Sequence, residues 1–599
     1  MDAPEYLVSI AVGPVQEFIA SGRKLRDLWY GSDLLSELSK SVVRSLSSQG
    51  CELIFPVVSD PEDIRPHSEL IVANKILAKA PSAANPQAII TQAKHDFLHY
   101  WQDLCDRILN RLPTDAVDRD RYHAQVRDFG EFYGVWTTIS ESYPASRLLA
   151  EQLLAGRKTL REFHAPTWDG AGLLKSSLDG IRENVVTRPK ALEGQFLLKK
   201  GEQLDALGIV KRKGVHEKTR GRPMFNTLSE VAVQPYLAGL ANDEQAQRIF
   251  RITDLTSFLT GHGIELPAET AGRPFLPKGF PAEWLIPACL AEVEREYGVQ
   301  DDPVWQRLTK EINTLHQYAG QPHPYACLLV GDGDHMGKTL NALDTVADHQ
   351  RFSTALNSFA RAMHTLVPEF GGGLIYSGGD DVMAYLPLHT GLQCACAIQQ
   401  RFAEAMVEAC RETAITRPPT FSVGLAIVHH HLPLHSTLDL ARRAEQVAKI
   451  QGGRNSLAII QAKRSGSVQC IHGKWEALDE LAPFQVRMQT MVDLHGRGAI
   501  PSRLGHQLRR IALQAGDSLE WRIVDDKPLP ANAGAAEALR MITRKRQKSG
   551  DMVTEADLCT LLAGRQHLRQ LADELVIANQ FAAANSHAQA EWRTKEDDQ

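Results

Sequence analysis

Between residues 326 and 462 the spacing of apolar residues switches repeatedly between a strand period and a helix period, and that switching lays out a compact unit. Apolar runs of strand length end at Asp332 and cover 374–376, 382–386, 421–428 and 456–460. Longer segments near 352–366, 392–411 and 438–450 read as helices; in the last, Leu438, Ala441, Ala444 and Ala448 fall on one inward face. The order strand, helix, hairpin, helix, strand, helix, strand predicts a ferredoxin-like palm with helices on one face of a sheet.

Two polar interruptions of this pattern carry chemistry. Gly378-Gly379-Asp380-Asp381 falls at the tip of the predicted hairpin, where glycine permits positive φ and lets a phosphate approach the backbone. Taken alone, the string is also an ordinary surface turn. Upstream, an apolar strand runs into Asp332 and Asp334, which stand at i and i+2, so in an extended chain both carboxylates face the same side and the hairpin can complete a cluster with them. Oxygen-only clusters suit Mg²⁺ or Mn²⁺, cations that also hold substrate phosphates.

The run ARRAEQVAKIQGGRNSLAII at 441–460 resembles the end of a GGDEF-type nucleotide cyclase domain, and GDGDHMGK at 331–338 with SGGDD at 377–381 resembles its metal-binding strands. SIAVGPVQEFI at 9–19, followed by RDLWYGS at 26–32, is similar to the opening of the first palm in the large subunit of type III-B CRISPR (Cmr) effector complexes. KSSLDGIRE at 175–183 and GRNSLAIIQAKRSG at 453–466 extend that similarity.

The resemblance implies a multidomain α+β chain with two ferredoxin-like palms, and a target-RNA-activated nucleotidyltransferase that makes a cyclic oligoadenylate messenger from ATP with Mg²⁺ or Mn²⁺. It implies catalytic acids at Asp380, Asp381 and Asp332, with Asp334 counted among the metal-binding acids as a ligand or as a group bonded to one. Nucleotide contacts are expected from Ser377, Gly378, Gly379, Lys449, Arg454 and Asn455. By position alone, Lys449 is a helix-terminal lysine favoured by the helix dipole, and Gly-Gly-Arg-Asn is a helix stop. The expected partners are the other Cmr subunits, guide RNA and target RNA, with no membrane. Transfer of AMP to another acceptor, a standalone cyclase and a non-catalytic scaffold stay open.

The length suggests about four domains. The expected organisation is a first palm at 1–165, an insert at 166–230, a helical connector at 231–318, a second palm at 319–470 and a helical C-terminal domain at 471–599. The first palm lacks paired acids, leaving Ser9, Gln16, Arg23 and Arg26 as its possible nucleotide contacts. The family usually carries a zinc ribbon in the insert, but none of the nine cysteines here forms a Cys-x-x-Cys pair. Ser176-Ser-Leu-Asp179 and Asp205-Ala-Leu-Gly208 stand where such pairs belong, so no zinc is expected. No HD nuclease domain is expected before the palm, since His95-Asp96 reads as part of a helix. His429, His430 and His431 read as a solvated loop.

Composition changes little: 43% of residues are apolar, 23% are charged and the net charge is −6. Slight acidity argues against strong generic binding to nucleic acid, which needs concentrated basic charge. Two basic stretches, 199–222 and 540–548, are candidate local RNA contacts, although charge runs are usually solvated faces. The absence of a long apolar span or signal peptide, and scattered cysteines, predict a cytoplasmic protein.

Overall fold

The computed structural model describes residues 4–68, 70–127, 129–139, 142–160, 172–192, 198, 201–218, 227–264, 275–411, 413–464, 467–524, 527–544 and 551–590. Strands β1 (Tyr6–Gly13), β2 (Glu52–Phe55), β3 (Lys75–Lys79) and β4 (Glu131–Thr138) form an antiparallel sheet in the order β2-β3-β1-β4, the ferredoxin-like arrangement. Along β1, Val8, Ile10 and Val12 pack with residues of the helices Leu25–Ser48 and Pro86–Asn110. Leu7 turns to the opposite face, where it meets Ile54, Leu77 and Tyr143 at the start of helix Tyr143–Thr159.

The second sheet contains β5 (Tyr325–Gly333), β6 (Gly373–Gly378), β7 (Asp381–Pro387), β8 (Phe421–His429), β9 (Ser456–Ala462) and β10 (Gln469–Lys474), in the order β10-β9-β8-β5-β7-β6. Its part β8-β5-β7-β6 repeats the order of the first sheet, which is the α+β palm architecture expected from the apolar pattern. Helices Val346–Glu369 and Leu388–Cys410 cover one face through Phe352, Phe359, Ile398 and Phe402. The third helix, Leu434–Ile450, lies on the other face, where Leu434, Leu438 and Ala441 pack with Leu328, Ala426 and Val428. The expectation of helices on one face is therefore corrected: β8 and β9 are parallel, and the crossover joining them carries this helix to the opposite side.

The palms pack reciprocally. Leu25 and Leu28, at the start of the first palm's first helix, bury against Ile375, Met383 and Tyr385 of the second sheet. The first helix of the second palm in turn meets the β2 edge: Gln350 Nε2 donates to the Leu53 carbonyl and Asn357 Nδ2 to the Val57 carbonyl, both at 3.0 Å. Tyr143 Oη lies 2.8 Å from His349 Nδ1 in the same seam.

Between the palms in sequence, helix Ala206–Lys218 docks on helix Leu25–Ser48, and Lys211, Arg212 and Lys213 are buried. These three residues are therefore not an RNA-facing surface. Of the rest of that basic stretch, Lys199, Lys200, Arg220 and Arg222 lie outside the described residues, as do Lys545, Arg546 and Lys548 of the second stretch. A separate core around Trp284, Trp305, Tyr236 and Phe280 holds the connector helices.

The C-terminal helices Phe484–Gly496, Leu504–Ala515 and Leu568–Ala588 continue the second palm's core. A two-stranded hairpin, β11 (Trp521–Val524) and β12 (Lys527–Pro530), interrupts this otherwise helical region. Among the described residues no helix is long and apolar enough to cross a membrane.

Candidate active site

The acidic motifs meet because β5 runs between β7 and β8. β5 and β7 pair antiparallel up to Gly331↔Val382, and one further step of that register sets Asp332 opposite Asp381. β6 and β7 close at Gly378↔Asp381 around Gly379 and Asp380, and Gly379 supplies the left-handed turn with φ +66°. Gly333 lets Asp380 come close: a Cβ there would lie 2.9 Å from the Asp380 Oδ2 atom. Crowding by protein pushes Asp380 up to about 7, and the charge of Asp381 adds to this. Asp381 is open to solvent at the tip but enclosed on its inner side, and that desolvation raises it to about 6.

Lys449 reaches this acidic group from the end of the third helix. Its Nζ pairs with Asp332 and, at 2.7 Å, with Glu445 one turn earlier. Desolvation lowers Lys449 to about 8, helped by the nearby charge of Arg454. Glu445 is raised to about 7 by desolvation and then by Asp381 and Asp334. Sequence reasoning missed Glu445, although its i,i+4 spacing from Lys449 was a usable signal.

Asp334 is placed differently from Asp332. It is 1% exposed. Its carboxylate accepts from Thr420 Oγ1 and Ser422 Oγ at 2.8 Å and from the Asn455 amide at 2.9 Å. Asp332 and Asp334 do face the same side, as expected: Asp332 stands opposite Ser422 in the β5–β8 register, and Ser422 Oγ donates to Asp334; what differs is that Asp334 is buried and Asp332 is not. With its oxygens engaged by protein donors, Asp334 anchors the loop after the third helix rather than joining a ligand set.

That loop is strained. Gly453, Arg454 and Asn455 all have positive φ, at +67°, +62° and +45°. Lys474 Nζ holds it from β10 by donating to the carbonyls of Gly453 and Arg454 at 2.7 and 2.6 Å. Arg454 itself is exposed beside Lys449. Ser377 is fully buried, with no hydrogen-bond partner for Oγ among the described residues, so the expected nucleotide contact from it is not presented at the site's surface.

Among the described residues no three His, Cys, Asp or Glu side chains form a ready-made cation cage. Mg²⁺ seldom uses one, since it takes one or two carboxylates and completes its shell with water and substrate phosphates. Two adjacent carboxylates raised by crowding, with a third opposite that already holds an ammonium group, fit such a cation in donor type and charge.

Other expected features resolve differently. Of the histidine run expected to be a solvated loop, His431 is exposed, but His429 ends β8 and His430 is buried, 2.9 Å from Ser229 Oγ and 3.9 Å from Cys289 Sγ. Asp96 accepts from Ser45 Oγ at 2.6 Å within the first palm. In the insert the two segments at 176–179 and 205–208 do meet. Ser176 Oγ donates to Asp205 Oδ1 at 3.2 Å, and the Arg182 guanidinium lies 3.2 Å from Asp179 and 4.0 Å from Asp205.

Residues 325–458 match the family described as Cas10/Cmr2, second palm domain, and residues 7–106 match CRISPR-associated protein Cmr2, N-terminal. A CRISPR system Cmr subunit Cmr2 of Pyrococcus furiosus is 24% identical over 586 residues, covering 82% of this chain and 65% of the relative. The chain thus spans just under two thirds of that protein's length. Among solved structures, a chain of the type III-B Cmr-beta complex in its apo state superposes with a TM-score of 0.64 at 13% identity, covering 96% of this chain and 81% of its own. A chain of the same complex bound to cognate target RNA gives 0.62 at 13% identity, covering 96% and 82%. At that identity the likeness concerns the fold.

Proposed function

We propose, from the matches of residues 7–106 and 325–458 to the Cmr2 N-terminal and Cas10/Cmr2 second palm families, that this chain is the large subunit of a type III-B CRISPR complex and a target-RNA-activated nucleotidyltransferase that makes cyclic oligoadenylate from ATP. The single observation that carries this reading is the meeting of Asp332 with the Asp380-Asp381 tip under Lys449, on a palm of the expected topology. In the reaction a 3′-hydroxyl oxygen bonds to the α-phosphorus of an ATP, the bond from that phosphorus to the bridging oxygen breaks, and pyrophosphate leaves.

Asp380, Asp381 and Asp332 would hold Mg²⁺ or Mn²⁺, which when bound lowers the pKa of the attacking hydroxyl and stabilises charge on the phosphoryl group. Gly379, with open space where a side chain would stand, leaves room for a phosphate to approach the backbone at the tip, whereas the Tyr376 ring lies against Gly378. Lys449 and Arg454 place two positive charges beside the acids, where they bind and orient the triphosphate. The amide of Asn455 is committed to Asp334, so Asn455 acts by fixing Arg454. The other Cmr subunits, guide RNA and target RNA are the proposed partners, and RNA contact is shared with those subunits because the chain is slightly acidic overall.

The test is incubation of the reconstituted complex with ATP, Mg²⁺ and matching target RNA, with products resolved by mass spectrometry. Cyclic adenylates that need the RNA are expected. Linear AMP adducts of an added acceptor would replace this reading with AMP transfer, and no turnover at all would leave a scaffold.

A further inference from the structure

The insert helix Ala206–Lys218 packs on the first palm's helix Leu25–Ser48, whose first turn meets β6 and β7, the strands that carry the acidic hairpin. It lies close against helix Leu25–Ser48: a Cβ on Gly214 would fall 2.0 Å from the Tyr30 ring, and one on Gly31 would fall 3.3 Å from Lys211 Cε. Lys211 has no exposed surface. Its Nζ donates to the Phe18 carbonyl and, at 2.6 and 2.9 Å, to the carbonyl and hydroxyl oxygens of Ser21, and sits 4.1 Å from the Phe18 ring centroid. The next residue continues the grip. Arg212 Nε donates to Asp27 Oδ1 at 2.6 Å and Nη2 to Glu202 Oε1 at 3.0 Å. Asp27 Oδ2 in turn accepts from the amides of Arg23 and Lys24, both at 3.1 Å.

All these contacts converge on the loop that follows β1. Val15 and Ile19 of that stretch line a cavity between the palms together with Ser32, Ser36, Asn74 and Tyr376, and Tyr376 is the residue before Ser377 and Gly378. A buried lysine bonded to the Phe18 and Ser21 oxygens, with no carboxylate bonded to its Nζ among the described residues, is an expensive way to fill space. A methionine would occupy the same volume without desolvating a charge. The ammonium ties the Phe18 carbonyl to both Ser21 oxygens, the Ser21 hydroxyl itself donating to the Phe18 carbonyl at 2.9 Å, which holds the backbone rather than forming an ion pair.

Resting on the nucleotidyl-transfer reading of the hairpin, we propose that Lys211 and Arg212 are positioning residues through which the insert fixes residues 14–24 as the wall opposite the acidic hairpin, and so sets the affinity of the site for ATP. Neither residue touches the hairpin; both act through the loop.

The experiment uses the full-length chain, with Lys211→Met to remove the ammonium and keep the stem. Amide exchange read by mass spectrometry should quicken about tenfold across 14–27, the scale of a lost charged hydrogen-bond set, while peptides across 325–335 and 374–386 stay as in the wild type. In the reconstituted complex the same variant should raise KM for ATP several-fold and leave kcat nearly unchanged. Unchanged exchange across 14–27, or a loosened loop with an unchanged KM, overturns the proposal. Should Lys211→Met loosen the whole chain, Ser21→Ala removes one of the three oxygens only and should still quicken the same peptide; no change there overturns the proposal too. A wild-type complex that makes no adenylate defeats the nucleotidyl-transfer reading instead, while the exchange arm still decides whether the insert holds the loop.

Discussion

The seam between the palms should weaken in mild acid, and His349 sets by how much. The ring is 3% exposed where helix Val346–Glu369 meets the first palm. Burial lowers it from 6.5 to about 4, the charges of Arg147 and Lys75 act in the same direction, and Glu151 opposes them. The closed seam therefore keeps His349 neutral, whereas an opened seam exposes a histidine that titrates near its ordinary value. Between 6.5 and about 4 the open form binds more protons, so stability present above 6.5 is lost as pH falls through that window. Across the whole window the loss is about 3 kcal/mol, and at pH 5.5 it is about 1.4 kcal/mol, or roughly tenfold more opening. Glu151 moves the opposite way to a buried acid left alone: despite its desolvation, Lys75 and Arg147 lower it from its ordinary value. Amide exchange in 143–150 and 346–353, corrected for intrinsic rates, would be compared at pH 7.5 and 5.5 in the wild type and in His349→Gln, which keeps a polar partner for Tyr143 but does not titrate. The wild type should open about tenfold more in acid and the variant should stay flat. An equal acid response in both, or a seam that tightens in acid, refutes the reasoning.

Two further outcomes follow from buried carboxylates. Asp334→Ala strips acceptors from Ser422 Oγ and the Asn455 amide and should cost about 2–5 kcal/mol locally, whereas Asp334→Asn keeps an acceptor and should cost about 1 kcal/mol. Exchange of the amides at 453–456 distinguishes the two, and equal loosening in both would deny Asp334 its anchoring role. Glu574→Gln leaves the buried guanidinium groups of Arg487 and Arg565 without their shared carboxylate, and should destabilise helix Leu568–Ala588 by about 3–5 kcal/mol in hydrogen exchange. A loss below about 1 kcal/mol would mean that solvent reaches the triad.

The second palm was legible because its strands are nearly all buried runs bounded by glycine or acid, and its helices keep one apolar stripe. The acidic tip was legible only together with the upstream strand, since Gly-Gly-Asp-Asp alone also reads as a surface turn and Asp332 is what offered a cluster to complete. What the sequence hid depends on contacts distant in the chain. Lys211 and Arg212 read as surface charge because Asp27 and Ser21, their partners, lie far upstream. His430 read as solvated because its neighbours Ser229 and Cys289 lie more than a hundred residues upstream. Asp334 read like Asp332 because the two do share a face; the buried donors Thr420, Ser422 and Asn455 that engage Asp334 lie far downstream in the chain. Glu445 was one of two acids on an amphipathic helix, and its i,i+4 spacing from Lys449 was the signal that could have singled it out.

The most direct test of the central claim is a Mn²⁺ titration of the full-length chain, followed by electron paramagnetic resonance with a non-hydrolysable ATP analogue, beside Asp380→Asn/Asp381→Asn. The account predicts Mn²⁺ bound together with nucleotide in the wild type and lost in the double variant. Equal Mn²⁺ and nucleotide binding in both proteins would contradict it.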